Sequence, residues 1–586
     1  MQAGSDTLAA VANHWLARFE HALGAGDAAA LAALFRADGH WRDVLAFSWR
    51  IRTVSGSAAI AAQLELEARS TQASGFRTDP ERTAPRHATR AGAKCIEAIF
   101  RFETAAGRGS GVLRFLAGSD DNDPPRAWTL LTTLEELRGH EERIGPRRPT
   151  GQSYSRDFSG PNWLDKRRAA AAYTDRDPQV LIVGGGQAGL SIGARLKALG
   201  VDALIVDRWS RVGDNWRCRY HALTLHNQVH VNHLPYLPFP PTWPVYIPKD
   251  MLATWFEAYV EALELNYWTG TEFTGGRFDD RTQRWSVTLK RVDGTEREMH
   301  PRHVVLASGV SGIPNLPEMP SLATFCGTVL HSSAYADGEG WRGKRALVIG
   351  TGNSGHDIAQ DLHSSGAAVT LVQRSPTLIV NIEPSAQLVY GLYSEGPPLD
   401  DCDLTTASVP LALARKAHQL ATAHARELDR PLLEQLERKG FRLDFGEDDT
   451  GWQFKYLTRG GGYYFNVGCS DLLAEGKVRL VQFADVAGFA ADGARLASGE
   501  KLPADLIVLA TGYQGQEALV ARLFSDETAR RVGPVWGFGE GQELRNMFQR
   551  TPQTGLWFIA GSFAQCRIYS KYLGLQLKAC EAGLIR

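Results

Sequence analysis

The chain has 586 residues, of which 44% are hydrophobic and 22% charged, and its formal net charge is −1. Such a balance is typical of a soluble protein of several domains, and it gives no electrostatic reason to expect nucleic acid or an anionic membrane as a partner. No apolar run approaches the about 18 residues of a membrane span, and the first residues lack a secretory signal pattern. The seven cysteines include no C-x-x-C pair, so we expect a reducing, cytoplasmic location, no metal site and no redox dithiol.

Residues 1–140 predict an α+β domain. Apolar residues recur at helical spacing over 15–23, and an Ala/Leu-rich helix is expected at 27–35. Period-two alternation then predicts three strands, at 96–102, 112–116 and 128–134. Helices followed by a meander of strands resemble the cone-shaped fold of the SnoaL-type (nuclear-transport-factor-like) superfamily.

One local motif of this domain is His40-Trp41-Arg42-Asp43. His40 and Asp43 could form an acid/base pair in a cone-shaped pocket, since some relatives of that fold are dehydratases or isomerases. The alternative is a structural or dimer-forming domain, or one that covers a substrate entrance, because fold does not fix function.

Residues 141–177 are rich in turn formers and predict a linker. A βαβ unit is expected next, with a buried strand at 180–183, a helix at 188–199 and a second strand at 203–206. Its glycines form a G-x-G-x-x-G pattern that suits a pyrophosphate over a helix N-terminus, with the fixed positions Gly184, Gly186 and Gly189. Asp207 follows Gly184 by 23 residues and can accept hydrogen bonds from an adenosine ribose, although a turn residue at a strand end is the alternative.

A second βαβ unit is expected from residue 345, with strands at 346–349 and 369–372 and a helix that includes 357–364. It repeats the glycine pattern at Gly350, Gly352 and Gly355. After its second strand the chain places Arg374 instead of an acid. A guanidinium binds a 2′-phosphate that a carboxylate would repel, so Arg374 favours NADPH over NADH, with a solvated surface arginine as the alternative.

Between the two units, residues 325–335 read F-C-G-T-V-L-H-S-S-A-Y. The spacing of Phe325, Gly327, His331 and Tyr335 is the identifying signature of the flavin-containing monooxygenases, and residues 160–586 resemble that family. The resemblance implies two Rossmann-like dinucleotide-binding domains, an α/β arrangement that follows the α+β cone-shaped domain. The FAD-binding domain would comprise 178–336 and 508–586, with the NADPH-binding domain, 337–507, inserted into it.

The resemblance also implies roles for single residues. Asn227 aligns with the family's asparagine near the flavin carbon that carries the peroxide, although a plain buried, hydrogen-bonded asparagine is the alternative. His331 and Tyr335 would position NADP and link the domains, or serve as a purely structural pair at the hinge. His226 would stack near the flavin, or be a satisfied core histidine. The residues assigned to FAD and NADPH binding are Gly184, Gly186, Gln187, Gly189, Asp207, Arg208, Asn215, Trp216, His226, Gly350, Gly352, Asn353, Ser354, Gly355, Arg374 and Gly512.

The implied activity is an NADPH- and O2-dependent monooxygenase that forms a C4a-peroxyflavin and oxygenates a small organic substrate. Oxygenation of nitrogen or sulfur and oxidative decarboxylation of the YUCCA type both stay open. Tyr335 replaces the tryptophan usual in Baeyer–Villiger enzymes, which makes oxidation of a ketone the alternative. A pyridine-nucleotide disulfide reductase would need a dithiol, and a non-oxygenating flavin/NADPH redox sensor would keep both glycine loops.

Overall fold

The computed structural model describes residues 2–117, 125–149 and 158–585. The N-terminal unit packs three helices against a curved run of seven strands in the order β2-β1-β7-β6-β5-β3, with β4 beside β5. Its helices are α1 (Gln2–Ala25), α2 (Ala28–Ala33) and α3 (Ser57–Thr71). Its strands are β1 (Phe35–Val44), β2 (Ile51–Ser55), β3 (Ser74–Thr78), β4 (Arg86–Arg90), β5 (Ala93–Glu103), β6 (Arg108–Leu116) and β7 (Ala127–Leu134).

The helices and strands expected in this unit are present, with one shorter than predicted. Asp27 caps α2 by accepting the Ala30 backbone N–H at 2.9 Å, and α2 ends at Ala33 because Phe35 already pairs in β1. The core contains Trp15, Phe19 and Trp41, all fully buried. The apolar spacing of the first helix therefore marked the face that packs on the sheet.

The motif at 40–43 does not bring His40 and Asp43 together. Alternation along β1 directs them to opposite faces of the sheet. His40 contacts Ser55 Oγ at 2.7 Å, whereas the buried Asp43 accepts hydrogen bonds from Ser48 Oγ at 2.7 Å and Thr132 Oγ1 at 2.8 Å. Burial raises the pKa of Asp43 to about 6. These contacts give the motif structural roles.

The segment predicted as a linker contains a helix, α4 (Trp163–Ala172). The Asn162 side chain accepts the Asp165 N–H, and the Asp165 carboxylate accepts the Asn162 N–H, both at 3.0 Å. This capping box stabilises a short helix whose apolar periodicity is weak. Periodicity alone therefore missed it.

The first nucleotide unit is a five-stranded parallel sheet in the order β10-β9-β8-β14-β25. These strands are β8 (Val180–Val183), β9 (Ala203–Val206), β10 (Asn266–Trp268), β14 (His303–Leu306) and β25 (Leu556–Phe558). An antiparallel meander of β11 (Thr271–Asp279), β12 (Arg284–Arg291) and β13 (Glu296–Met299) lies between β10 and β14 in the chain. The helices are α5 (Gln187–Ala198), α6 (Asp214–Arg217), α7 (Lys249–Ala262) and α15 (Phe563–Glu581).

The second unit repeats this plan as β15-β24-β16-β17-β20. Its parallel strands are β15 (Thr328–His331), β16 (Arg345–Ile349), β17 (Ala368–Gln373), β20 (Arg479–Gln482) and β24 (Leu506–Leu509). Its antiparallel meander is β21 (Val486–Ala490), β22 (Gly493–Leu496) and β23 (Lys501–Pro503), and a separate parallel pair is β18 (Leu378–Asn381) with β19 (Tyr463–Asn466). The remaining helices are α8 (Asn353–Ser364), α9 (Leu399–Ala407), α10 (Leu411–Arg438), α11 (Gly451–Arg459), α12 (Cys469–Glu475), α13 (Gln516–Leu523) and α14 (Asp526–Val532).

The N-terminal unit packs against the rest of the chain through ion pairs. Arg82 reaches Asp401 on α9 at 3.0 Å, Arg42 reaches Glu543 at 2.6 Å, and Glu135 accepts from Lys571 on α15. Ion pairs of this kind fix orientation because each buried charge needs its partner. Across the described ranges, no helix combines the length and the apolar character that a membrane crossing requires.

Candidate functional site

The first glycine loop packs so tightly that side chains are excluded from it. Gly184 has a φ of +110°, and a Cβ atom there would lie 2.7 Å from the Ala307 carbonyl oxygen. A Cβ on Gly189 would lie 1.9 Å from the Gly184 oxygen. The loop therefore turns sharply and lets α5 approach β8, as a pyrophosphate-binding loop requires.

Asp207 closes this loop from the end of β9. Its carboxylate accepts the Gly185 N–H at 2.7 Å and the Trp209 N–H at 3.0 Å, and it is 9% exposed. The N-cap residue of α5 is Gly186, which has no side chain that could accept the N–H groups of the first turn. These N–H groups can therefore bind an anion. Gln187, the first residue of α5, donates to the Gly561 oxygen at 3.2 Å.

A cleft with an empty volume of about 2100 Å³ runs along this loop. Of the residues predicted to bind FAD, it is lined by Gly184, Gly186, Gln187, Asp207, Arg208, Asn215 and Trp216. Two polar atoms in its wall, Trp216 Nε1 and Ser308 Oγ, are buried without a hydrogen-bond partner. Buried donors of this kind need a partner, so the cleft fits a large polar ligand such as FAD.

The second glycine loop has almost the same geometry. Gly350 has a φ of +118°, with its Cβ position 2.2 Å from the Ala510 oxygen, and a Cβ on Gly355 would lie 2.0 Å from the Gly350 oxygen. Gly352 caps α8 without a side-chain hydrogen bond. Asn353 accepts the Phe465 N–H at 3.0 Å, and Ser354 follows it in the first turn.

The end of β17 differs from the end of β9. Gln373 follows Gly350 by 23 residues, as Asp207 follows Gly184, so a buried amide stands at the position of the acid. Its side chain accepts the Arg442 N–H and donates to the Arg442 oxygen, both at 2.9 Å. The exposed Arg374 comes next, and the Arg442 guanidinium donates to its carbonyl oxygen. The Arg442 guanidinium thus lies against the backbone of Arg374. Sequence reasoning missed Arg442, and it missed that Gln373 occupies the position of the acid, although the 23-residue count marks that position.

The signature segment contains β15, the edge strand of the second sheet, which ends at His331. A Cβ atom on Gly327 would lie 2.3 Å from the Phe325 ring, so this glycine lets the ring fold back over the backbone. Phe325 is 8% exposed and packs in the core on one side of the sheet. The first half of the signature therefore anchors β15 beside β24.

His331 ends β15 with both ring nitrogens bonded. The Ser333 N–H donates to Nδ1 at 3.1 Å, so Nε2 carries the hydrogen and donates to the Gly512 oxygen at 3.1 Å. Burial lowers the pKa of His331, and the bond to Gly512 opposes that shift only in part. The imidazole is therefore neutral, and it joins the signature to Gly512 in the segment that follows β24.

Tyr335 is buried and donates to the Asp361 carboxylate on α8 at 2.7 Å. Burial and the neighbouring Asp361 raise its pKa far above the ordinary value. Its hydroxyl is therefore a fixed neutral donor that ties the signature to the helix of the second glycine loop.

His226 and Asn227 lie where the two nucleotide units meet. His226 Nε2 is 3.9 Å from the buried Asp357 of α8, and its ring meets Phe465 edge-on at 5.5 Å. Burial raises the pKa of the Tyr390 hydroxyl, and a hydrogen bond from Asn227 opposes that rise. Both predicted residues thus contact the second unit, and neither is among the described residues that line the 2100 Å³ cleft.

Sequence reasoning missed an aromatic cluster beside Asn227. Trp452 lies 5.7 Å from Tyr463 and 4.7 Å from Phe465, and Tyr390 lies 6.0 Å from Trp452. The Tyr456 hydroxyl donates to Gln565 Oε1 at 3.2 Å. These residues come from distant segments of the chain, so no local pattern in the sequence brings them together.

Residues 178–390 match the family model described as pyridine nucleotide-disulphide oxidoreductase. The seven cysteines of the sequence include no C-x-x-C pair, the motif that supplies the dithiol of a disulphide reductase. The match covers both glycine loops, so what this chain shares with the family is the nucleotide-binding framework.

An indole-3-pyruvate monooxygenase of Oryza sativa subsp. japonica, YUCCA1, is 32% identical over 340 residues, which cover 58% of this chain and 77% of the relative. A probable indole-3-pyruvate monooxygenase of Arabidopsis thaliana, YUCCA9, is 30% identical over 337 residues, covering 57% and 74%. Among solved structures, cyclohexanone monooxygenase from Rhodococcus sp. Phi1 bound to NADP+ aligns with a TM-score of 0.50 at 17% identity, covering 70% of this chain and 85% of that chain. At that identity the likeness is one of fold.

Proposed function

Because the chain belongs to the family of flavin-dependent monooxygenases, enzymes that use FAD, NADPH and O2, we propose that it converts an aromatic 2-oxo acid to the acid one carbon shorter. The balanced reaction consumes the 2-oxo acid, O2, NADPH and a proton, and it gives the shorter carboxylate, CO2, NADP+ and water. The observation that carries this proposal is the likeness over 340 residues to a relative named as an indole-3-pyruvate monooxygenase.

FAD would bind in the 2100 Å³ cleft. The N-terminal turn of α5 would hold its pyrophosphate, Asp207 its adenosine ribose, and the free donors of Trp216 and Ser308 would find partners there. When bound, FAD would accept hydride and activate oxygen.

NADPH would bind over the N-terminus of α8. Gly350, Gly352 and Gly355 give the pyrophosphate its close approach, and Arg374 with Arg442 would face the 2′-phosphate. The Gln373 side chain fixes the Arg442 backbone, and the Arg442 guanidinium donates to the Arg374 carbonyl oxygen, so binding needs little further ordering of the Arg442 side chain.

The residues between the two sites would exclude water and orient the reacting groups. Tyr463 is buried, and Tyr390 and Tyr456 are partly buried. Burial raises the pKa of all three hydroxyls, so each is a neutral hydrogen-bond donor at physiological pH. Asn227 would orient a polar group through its amide. His331 and Tyr335 are occupied by Gly512 and Asp361, so we propose that they hold the hinge and transfer no proton.

The N-terminal unit, residues 1–140, is proposed to be a SnoaL-type domain. Three helices packed on seven strands support that assignment. A linker at 141–177, an FAD domain at 178–336 and 508–586, an NADPH domain at 337–507, dimer formation and a cytoplasmic location stay as proposals.

Rapid-reaction spectroscopy tests the proposed function. FAD-loaded protein is reduced with NADPH without oxygen and then mixed with O2 and either indole-3-pyruvate, an amine, a sulfide or a ketone. We expect oxidation coupled to release of about one CO2 per NADPH only with the 2-oxo acid. Efficient N- or S-oxygenation without CO2 release, or ester formation from the ketone, would replace this proposal with that reaction.

A further inference from the structure

A second cavity, with an empty volume of about 760 Å³, lies where three parts of the chain meet. We call it the interface chamber. The N-terminal unit contributes Arg42 and Ile51, the helical segment contributes residues between 406 and 457, and the C-terminal segment contributes residues between 538 and 569. Its wall is thus complete only when the N-terminal unit is docked.

The interface chamber adjoins the cleft proposed for FAD. Gly561 lines that cleft, and Gln565 lines the chamber. The Gln565 side chain accepts the Ser562 N–H at 3.1 Å, and its Oε1 lies 2.5 Å from the Cβ position of Gly561. One turn of chain therefore separates the two spaces.

Most of the chamber wall is apolar and aromatic. Phe454 and Phe538 face each other with ring centroids 5.7 Å apart, and Phe548 stacks on Tyr569 at 4.9 Å. Rings arranged in this way suit a flat aromatic ligand, because aromatic pairs add to the free energy gained from burial alone.

Two polar groups in the wall can each form one more hydrogen bond, to a ligand. Gln453 Oε1 is buried without a hydrogen bond, so it can accept an N–H from a ligand. The Tyr569 hydroxyl accepts two N–H groups of Arg42 at 3.2 Å, and no contact found in the described ranges accepts its own hydrogen. That hydrogen can be donated to a carbonyl or carboxylate oxygen.

Arg42 itself is not available to a ligand. Its guanidinium binds Glu543 through two hydrogen bonds, of 2.8 and 2.6 Å, and also donates to the Ala407 oxygen. Thr53 donates to the same Glu543 carboxylate at 2.9 Å. The Arg42–Glu543 ion pair holds the N-terminal unit in place, and Arg42 orients the Tyr569 hydroxyl. Neither charge of this pair is left unpaired in the chamber.

We propose that the interface chamber binds the substrate, and that its occupant is an aryl compound with a carbonyl or carboxylate oxygen at one end and an N–H donor at the other. The N-terminal unit supplies part of the wall through Arg42 and Ile51. This inference rests on the proposed function, because it gives that reaction its substrate site.

The test uses binding of inert probes to the FAD-loaded, full-length protein without NADPH. Calorimetric titration compares 3-(indol-3-yl)propionate with its N1-methyl analogue. We expect the N–H probe to bind about tenfold more tightly, as one hydrogen bond to an otherwise unpaired buried acceptor allows. Gln453→Leu should bring that ratio close to one.

Variants at Tyr569 and Ile51 test the other walls of the interface chamber. Tyr569→Phe should weaken both probes about fivefold, whereas Tyr572→Phe, the same change on the same helix outside the chamber lining, should leave both affinities unchanged. Ile51→Phe should weaken both probes by filling space, and Ile51→Ala should not weaken them. Circular dichroism and the ratio of FAD to protein show that each variant is folded.

The inference is overturned if the N–H preference survives Gln453→Leu, if Ile51→Phe leaves both affinities unchanged, or if the wild type binds neither probe. NADPH-dependent oxygenation is measured in the same samples. If the chamber variants bind the probes as the wild type does and oxygenation continues, the substrate site is refuted and the proposed function stands. Failure of NADPH to reduce the bound flavin removes the proposed function instead.

Discussion

The two nucleotide units share one plan, and in both the fifth strand of the sheet comes from outside the βαβ run. In the first sheet, β25 arrives from the C-terminal end of the chain to pair with β14. In the second sheet, β15 arrives from the signature segment to pair with β24. Each unit therefore completes its sheet with a strand from outside its own βαβ run, and each glycine loop lies at the same place in that sheet.

The units differ at the few positions that meet the nucleotide or its helix. Asp207 in the first unit corresponds to Gln373 in the second, with Arg374 beside it. Leu190 on α5 corresponds to His356 on α8, and both side chains are fully buried. The same glycine-loop backbone thus occurs twice, and we propose that single side chains determine which nucleotide each unit accepts and how the stability of each unit responds to pH.

The largest expected effect comes from adding one carbon to the first loop. Gly189→Ala places a Cβ 1.9 Å from the Gly184 oxygen, so α5 must move, and we expect loss of about 3 kcal/mol of stability together with most of the bound FAD. Gly355→Ala should retain FAD and lose reduction by NADPH. The ratio of FAD to protein and the melting temperature measure both.

Gly24→Ala is the matched control, since it also lies in a helix and no atom lies within 4 Å of its Cβ position. It should retain FAD and gain a little stability. Equal FAD content in Gly189→Ala and Gly24→Ala would mean that the first loop does not hold the cofactor.

Next in size is the preference between nicotinamide cofactors. Arg374→Ala should lower the ratio of kcat/KM for NADPH to that for NADH by between about tenfold and a hundredfold, because a charge-assisted pair with the 2′-phosphate is lost. Arg374→Lys should retain part of the preference. Arg342→Ala, an exposed arginine before the opposite end of β16, should change nothing, and an unchanged ratio in Arg374→Ala would refute the assignment.

A smaller effect concerns pH. Burial lowers the pKa of His356 from 6.5 to about 4, so the unfolded chain binds a proton more readily than the folded protein below pH 6.5. The free energy of unfolding therefore falls as the pH drops from 6.5 towards 4. The contribution of His356 to this fall is about 1.4 kcal/mol at pH 5.5. His356→Leu, which copies the residue of the first unit, should remove that share of the fall in denaturant titrations at pH 7.0 and 5.5. An identical fall in the variant would show that other groups cause it.

The smallest expected effect is at the signature tyrosine. Tyr335→Phe deletes the hydrogen bond to Asp361, so we expect a loss of about 1 kcal/mol in stability. Because the hydroxyl is already occupied, kcat for NADPH-dependent oxygenation should stay within about twofold of the wild type. A fall of kcat by two orders of magnitude with FAD content unchanged would give Tyr335 a role in the reaction itself.

Local patterns in the sequence predicted the framework well. Val180–Val183 and Ala203–Val206 have the bounds expected, because buried parallel strands are continuous apolar runs ended by glycine or acid. Helix α4 escaped prediction because a capping box and not periodicity stabilises it. The aromatic cluster and the interface chamber escaped because their residues are distant in the chain, as in Arg42 and Tyr569, and meet only through tertiary packing.

Strand β15 precedes the βαβ run of the second unit, and this determines where a stable fragment of the protein has to begin. A fragment cut at 337–507 would contain the second glycine loop but would leave β24 without its neighbour, exposing an apolar edge. Open edges of this kind invite pairing between molecules. A fragment that starts before Phe325 would retain both the strand and the ring that folds over Gly327. The unit that exchanges intact between proteins is therefore longer than the nucleotide-binding motif and includes the family signature as part of its sheet.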